Sequence, residues 1–162
     1  MPTSLLPVIP SLPVPHREQQ YPSDCLAACA AMVLAYWRRD VTYSALLRLL
    51  RIQSYGAPAG NIRLLSGLGV RVTYSKTNLW GLEALLNQGM PVIVFVRTGE
   101  LPYWTYQTDH AVVVVGFDED HVYVNDPDRS DAPIRVPAGD FELAWLERDY
   151  AYALIAPSED RL

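Results

Sequence analysis

Apolar residues recur at helical spacing just after Ser23 and Asp24: Leu26, Cys29, Met32, Val33, Tyr36 and Trp37 fall on one stripe. Ser23 and Asp24 are residue types that cap helix N-termini, so the pattern predicts a helix from about Cys25 to Trp37. A second helix is predicted over TYSALLRLLRI, where Ala45, Leu46, Leu49 and Leu50 form an apolar face and Arg48 and Arg51 stay wet; Gly56 and Pro58 end that region. A third is predicted over AGNIRLLSGLG, closing at Gly67 or Gly69 before a short strand VRVTY, and a fourth over LWGLEALLNQG, closing at Gly89. Beyond it the period changes. PVIVFV, HAVVVVGFD, HVYVNDP, PIRVP and YAYALIAP read as strands with turn residues between them. The amino half is thus expected to be mostly helical and the carboxyl half mostly sheet, packed as two lobes, because the boundary near Gln88 to Pro91 is too tight for a flexible linker.

Residues 1–15 carry five prolines and should run as an extended arm, either loose or lying along the domain or a partner. Residues 16–157 are expected to form one domain and residues 158–162 a short tail. A chain of 162 residues with half of its positions hydrophobic is long enough for one continuous core. Its net charge of −5, with no basic patch, argues against nucleic acid as a partner. The longest apolar run, AVVVVGF, is far shorter than the roughly 20 residues of a membrane helix, and no integral membrane segment is expected. The first residues lack the basic stretch of a secretory signal and are broken by Pro7, Pro10 and Pro13, so the cytoplasm is the expected compartment. Cys25 and Cys29, spaced i, i+4 on a helix, suit neither a disulfide nor, without nearby histidines, a zinc site.

The spacing does suit covalent chemistry. A cysteine at a helix start meets unsatisfied backbone N–H groups and the positive end of the helix dipole, both of which favour a thiolate. Cys25 stands there, whereas Cys29 lies one turn inside among Ala28, Ala30 and Met32 and reads as a buried hydrophobe. A thiolate nucleophile needs a base from another element across a cleft. His110 heads the longest apolar strand, about 85 residues after Cys25; His16 in the arm and His121 in the acidic turn read as solvated loop residues. A third group should hold the imidazole tautomer. The turn at Asp118 to Asp120 brings the NDP stretch back toward His110, which points to Asp126, with Asn125 as the alternative and Asp128 behind both. An oxyanion donor could be the Cys25 N–H together with the side chain of Gln19 or Gln20. The segment TGELPYWTYQTD leads into His110, and Tyr103, Trp104 and Tyr106 could wall a substrate cleft there.

Together, VPHREQQYPSDCLAACAAMVLAYW and DHAVVVVGFDEDHVYVNDP resemble the bacteriocin-processing cysteine peptidases of family 39. The resemblance runs from about Val14 to Ala156. It implies an α+β, papain-like fold, with a helical left lobe carrying the nucleophile and an antiparallel β right lobe carrying the histidine. By the same resemblance Cys25, His110 and Asp126 are the catalytic residues, and Gln19, six residues before the cysteine, is the oxyanion donor. The better-known members have glycine after the nucleophile where this chain has Leu26, so the match is to the broader peptidase-like group. Those members are fused to an exporter and cut after a double glycine. This chain has no P-loop motif, and an exporter partner stays unassigned. The expected activity is hydrolysis of a peptide or protein substrate, such as a leader or precursor peptide, without metal or organic cofactor. The alternatives are acyl transfer or transpeptidation through the same thiol, or a non-catalytic peptide-binding module.

Overall fold

The computed structural model describes residues 11–158, so residues 1–10 of the expected arm and 159–162 of the tail lie outside it. In chain order the elements are α1 (Cys25–Tyr36), α2 (Tyr43–Leu49), β1 (Val70–Lys76), α3 (Leu79–Asn87), β2 (Val92–Arg97), β3 (Asp109–Phe117), β4 (His121–Asn125), β5 (Ile134–Pro137), α4 (Ala138–Leu146) and β6 (Ala151–Pro157). Every strand predicted from the alternation is present. The expected third helix is instead a 3-10 segment, Ala59–Leu68, ended by Gly69 at φ 76°. Gly60, Asn61, Ser66 and Gly67 are weak α-helix formers, and the buried pair Ile62 and Leu65, three residues apart, shares one edge of a three-residue turn. Helix α4 had no counterpart in the sequence reading, although Phe141, Ala144 and Trp145 stand at helical spacing and are all fully buried.

The strands form one antiparallel sheet in the order β1-β6-β2-β3-β4-β5. The amino half therefore contributes an edge strand, and the carboxyl half a helix, so the expected division of helix from sheet along the chain is only approximate. Each face carries its own core. Ile93, Phe95, Ala111, Val113, Val115 and Ile155 pack against α1 and α2, while Val92, Val94, Val112 and Val114 pack against α3 and α4. This is the period-2 alternation of a strand buried on both faces. Helix α1 is covered on most sides, and its fully buried Ala27, Ala28 and Ala30 leave room for the helix to lie close to the sheet. Its far end is pinned by Trp37 Nε1 donating to Ile155 O at 2.7 Å and Tyr36 Oη donating to Gly89 O at 2.7 Å.

Residues 11–15 lie along the sheet. The β3–β4 register shifts between Val114 and Gly116, and Leu12 N donates to Val115 O at 2.7 Å. Gly116 is required there by space: a Cβ on it would stand 3.0 Å from Ser11 Cα and 3.3 Å from Ser11 Oγ. Gly116→Val should therefore push the arm off β3, costing about 1–3 kcal/mol in urea unfolding. The same variant should be cut faster by a protease ahead of His16, and unchanged proteolysis there would refute the packing of the arm.

Candidate active site

The entry to α1 is a tethered turn. Asp24 is buried, yet its side chain makes no capping bond to α1; it points backwards. Its Oδ2 accepts from Tyr21 N at 3.2 Å and from Tyr43 Oη at 3.0 Å, and its Oδ1 accepts from Ser23 Oγ at 3.1 Å. Tyr43 Oη in turn accepts from Gln20 N at 3.2 Å. The expected N-cap is thus a clamp between α2 and the loop before the cysteine, and Tyr43, unnoticed in the sequence, is its hub. Burial, with Asp24 beside it, holds the Tyr43 phenol protonated well above its ordinary range.

Both cysteines are free thiols. Cys25, half-buried at the start of α1, lines a cleft of about 580 Å³, as does Leu26 beside it. Cys29 is fully buried, and burial raises its thiol pKa well above the ordinary value. His110, 5% exposed, reaches the same cleft from β3, where it stands opposite Val96. Its Nε2 is 2.7 Å from Oδ1 of the fully buried Asp126, which leaves the other ring nitrogen for a second partner, and Cys25 lines the same cleft.

Asp126 is saturated with donors. Its Oδ2 accepts from Tyr103 Oη at 2.6 Å and Trp104 Nε1 at 3.0 Å, and its Oδ1 also accepts from Asp128 N at 2.9 Å. Burial alone would raise the Asp126 pKa, but the His110 hydrogen bond and charge, with Tyr103 and the Asp128 N–H, hold it at about 2. For His110 burial works against the charged ring, and the bonds to Asp126 and Cys25 outweigh it, pushing the imidazole up to about 9.

Register and reach differ from the sequence expectation. Asn125 stands opposite Val113, three residues along from His110, so neither Asn125 nor Asp126 is level with the histidine; the Asp126 carboxylate reaches it from beyond the end of β4. Asn125 Nδ2 donates to Val14 O at 3.3 Å, so it holds the arm instead, and Asp128 faces Arg129. The histidines set aside as solvated are in fact engaged: His16 Nε2 lies 2.6 Å from Arg129 O, and His121 Nδ1 3.3 Å from Asp118 Oδ1. Gln19 is half-buried and Gln20 exposed. Gln19 N donates to Pro127 O at 2.8 Å, and its shielded side-chain Oε1 makes no hydrogen bond. Neither glutamine lines the cleft as Cys25 and His110 do.

The aromatic segment also divides. Tyr103 and Trp104 turn inward to Asp126, and the Trp104 ring lies 4.8 Å from that of His110. Tyr106 is exposed and packs edge-on against Trp104. The part of this segment that lines the cleft is Gln107, Thr108 and Asp109, so the aromatics support the histidine rather than wall the cleft. Thr98 shapes the loop, donating through Oγ1 to Tyr106 O at 2.7 Å and accepting from Thr108 N at 2.9 Å. Among the described residues no His, Cys, Asp or Glu cluster could hold a metal ion, and no helix is long and apolar enough to cross a membrane.

A sequence profile described as "Peptidase_C39 like family" matches residues 11–153. No functionally curated protein matches the chain by sequence. Among solved structures, one described as a C39-like peptidase from Bacillus anthracis has a TM-score of 0.75 at 19% identity, covering 91% of this chain and 96% of its own. The peptidase domain of Streptococcus ComA, a bifunctional ABC transporter involved in quorum sensing, has a TM-score of 0.73 at 22% identity, covering 88% of this chain and 98% of its own. A double glycine motif protease from an AMS/PCAT transporter, solved with its leader peptide, has a TM-score of 0.71 at 21% identity, covering 91% of this chain and 94% of its own. These likenesses establish the papain-like fold.

The buried pair makes stability depend on pH in a defined way. The folded His110 pKa of about 9 lies above its ordinary 6.5, so its contribution is complete below about 6.5 and is lost as pH rises through 9. The folded Asp126 pKa of about 2 lies below its ordinary 3.8, so its contribution is present above that value and is lost as pH falls toward 2. NMR of labelled histidine should show the His110 ring titrating near 9, and Asp126→Asn should move it down. An unmoved titration in that variant would break the pairing.

Proposed function

Because the chain belongs to the peptidase C39-like family of cysteine peptidases, we propose that Cys25, His110, Asp126 and Gln19 cut a peptide bond in an extended peptide, such as a leader segment. The observation that carries the reading is the His110–Asp126 pair at 2.7 Å, with Cys25 and His110 lining one open cleft. A peptide as substrate is supported by the relative solved with its leader peptide.

In the proposed reaction the Cys25 Sγ attacks the carbonyl carbon, and the C–O π electrons move to oxygen. The Cys25 backbone N–H and the Gln19 side-chain amide stabilise that oxyanion. Collapse breaks the C–N bond, and the His110 imidazolium gives its proton to the departing amine, leaving a thioester on Cys25. Water then adds to the thioester, losing a proton to His110, and expels the thiolate as the acid product leaves. Asp126 stays ionised throughout; it holds the ring orientation and stabilises the imidazolium.

Cys25→Ala and His110→Ala should each abolish turnover, measured by mass spectrometry of peptide products, while Cys29→Ala stays active. Gln19→Ala should lower kcat by about 10²-fold with little change in KM, since the oxyanion exists only in the transition state. Gln20→Ala should do far less. Equal effects of the two glutamine variants would take Gln19 out of the reaction, and activity retained in Cys25→Ala would sink the assignment as a whole.

A further inference from the structure

Beyond the reacting groups, the cleft contains a charged floor that the proposed mechanism does not use. In the β2–β3 register Arg97 faces Asp109 and Phe95 faces Ala111, on either side of the Val96–His110 pair. Arg97 Nε lies 3.4 Å and Arg148 Nη1 3.7 Å from the same atom, Asp109 Oδ1. The Arg148 guanidinium lies 6.0 Å over the Phe95 ring. All four side chains line the cleft that holds Cys25 and His110.

Two guanidiniums thus share one carboxylate, leaving one positive charge in excess at a cleft wall of a chain whose net charge is −5. Asp109 is 65% exposed, so its ion pairs are solvent-screened and yield readily to a better-placed anion. The pairing is also loose: Arg97 Nε is held only by its 3.4 Å ion pair with Asp109 and makes no hydrogen bond. A guanidinium fork matches a carboxylate in two parallel bonds, and the Phe95 ring offers a floor for the methylenes beneath it.

The geometry points to a specificity subsite in which Arg97 and Arg148 bind an acidic side chain, Asp or Glu, of the peptide, a few residues from the bond that is cut. This rests on the peptidase reading of Cys25. Binding replaces part of the Asp109 pairing with a bidentate contact, and the surplus charge draws anionic segments into the cleft.

The test is the rate at which Cys25 is labelled by short peptide vinyl sulfones, blocked at both ends so that no terminal carboxylate competes. Glu or Gln is placed at the second, third or fourth residue from the electrophile, and Cys25→Ala serves as the unlabelled control. At one of these positions the Glu probe should react about 10-fold or more faster than its Gln partner, less so in high salt. Arg148→Gln and Arg97→Gln should bring the ratio close to one, and Arg148→Glu should turn the preference toward a Lys probe. Arg135→Gln, on β5, should keep the wild-type ratio. Equal labelling by Glu and Gln probes at every position overturns the subsite alone. So does an equal loss for both probes in the arginine variants, the mark of a merely structural pair. If neither probe labels Cys25 and no peptide is cut, the peptidase reading fails and the subsite falls with it.

Discussion

A carboxylate with no solvent contact must find its hydrogen bonds inside the protein, and Asp126 takes them from His110 Nε2, Tyr103 Oη, Trp104 Nε1 and Asp128 N. Burying a charge in this way costs several kcal/mol unless each lone pair is met, so the donors are conditions of the pair and not additions to it. They explain elements that otherwise look arbitrary. The loop after β2 bends back through Thr98 so that Tyr103 and Trp104 can reach inward, and the turn after β4 places the Asp128 N–H. Arg129 closes the group: Nη2 donates to Tyr103 O at 2.7 Å, and its guanidinium lies 5.3 Å over both the Tyr103 and Trp104 rings.

The same turn governs the other side of the site. Asn125 bonds Val14 O, Arg129 O meets His16, and Pro127 O accepts from Gln19 N, so the segment carrying Asp126 is also the rail on which the N-terminal arm is laid. With Leu12 bonded to Val115 at the bulge, these ties fix the register of the chain entering α1. Gln20 and Asp24 are then clamped by Tyr43 from α2. Cys25 is thereby tied to both sides: to the sheet through the arm, and to the helices through Tyr43. Movement of the 125–129 turn would disturb the aspartate and the glutamine together.

How much of this was legible follows from the range of each interaction. Strands announced themselves because β2 and β3 are buried on both faces and carry nearly unbroken β-branched runs, and α1 did so because cap-type residues, Ser23 and Asp24, directly precede an apolar run. Helix α4 was hidden by its setting: β5 ends at Pro137 and α4 begins at Ala138 without a gap, and its apolar residues Phe141, Ala144 and Trp145 stand between two strand-like segments. Among site residues, Cys25 and His110 are marked by position on their elements. Counting back from the turn ranked Asp126 ahead of Asn125 and Asp128, although the bulge near Val115 shifts the register that the count assumes. Tyr103 and Trp104 were visible as aromatics beside the histidine. Their inward turn depends on a buried carboxylate 22 or more residues away, which no local pattern encodes.

The two cysteines show how the fold separates chemistry from packing within one turn of helix. Helix α1 has almost no polar face because it lies between the sheet and α2, and a thiol in its interior has no water and no opposing charge. Burial therefore keeps Cys29 protonated, and it serves as core volume. At the first residue of the helix the surroundings change abruptly: Cys25 is only half-buried, the cleft is open, and His110 lines the same cleft. Lengthening α1 by a turn would move this boundary into the entry loop and cover Cys25 as Cys29 is covered. The buried Asp24 opposes that extension, because its side chain is committed backwards to Tyr21, Ser23 and Tyr43 and could not keep those bonds from inside a longer α-helix. The helix start, and with it the reactive position, is set by the same clamp that holds the glutamine loop.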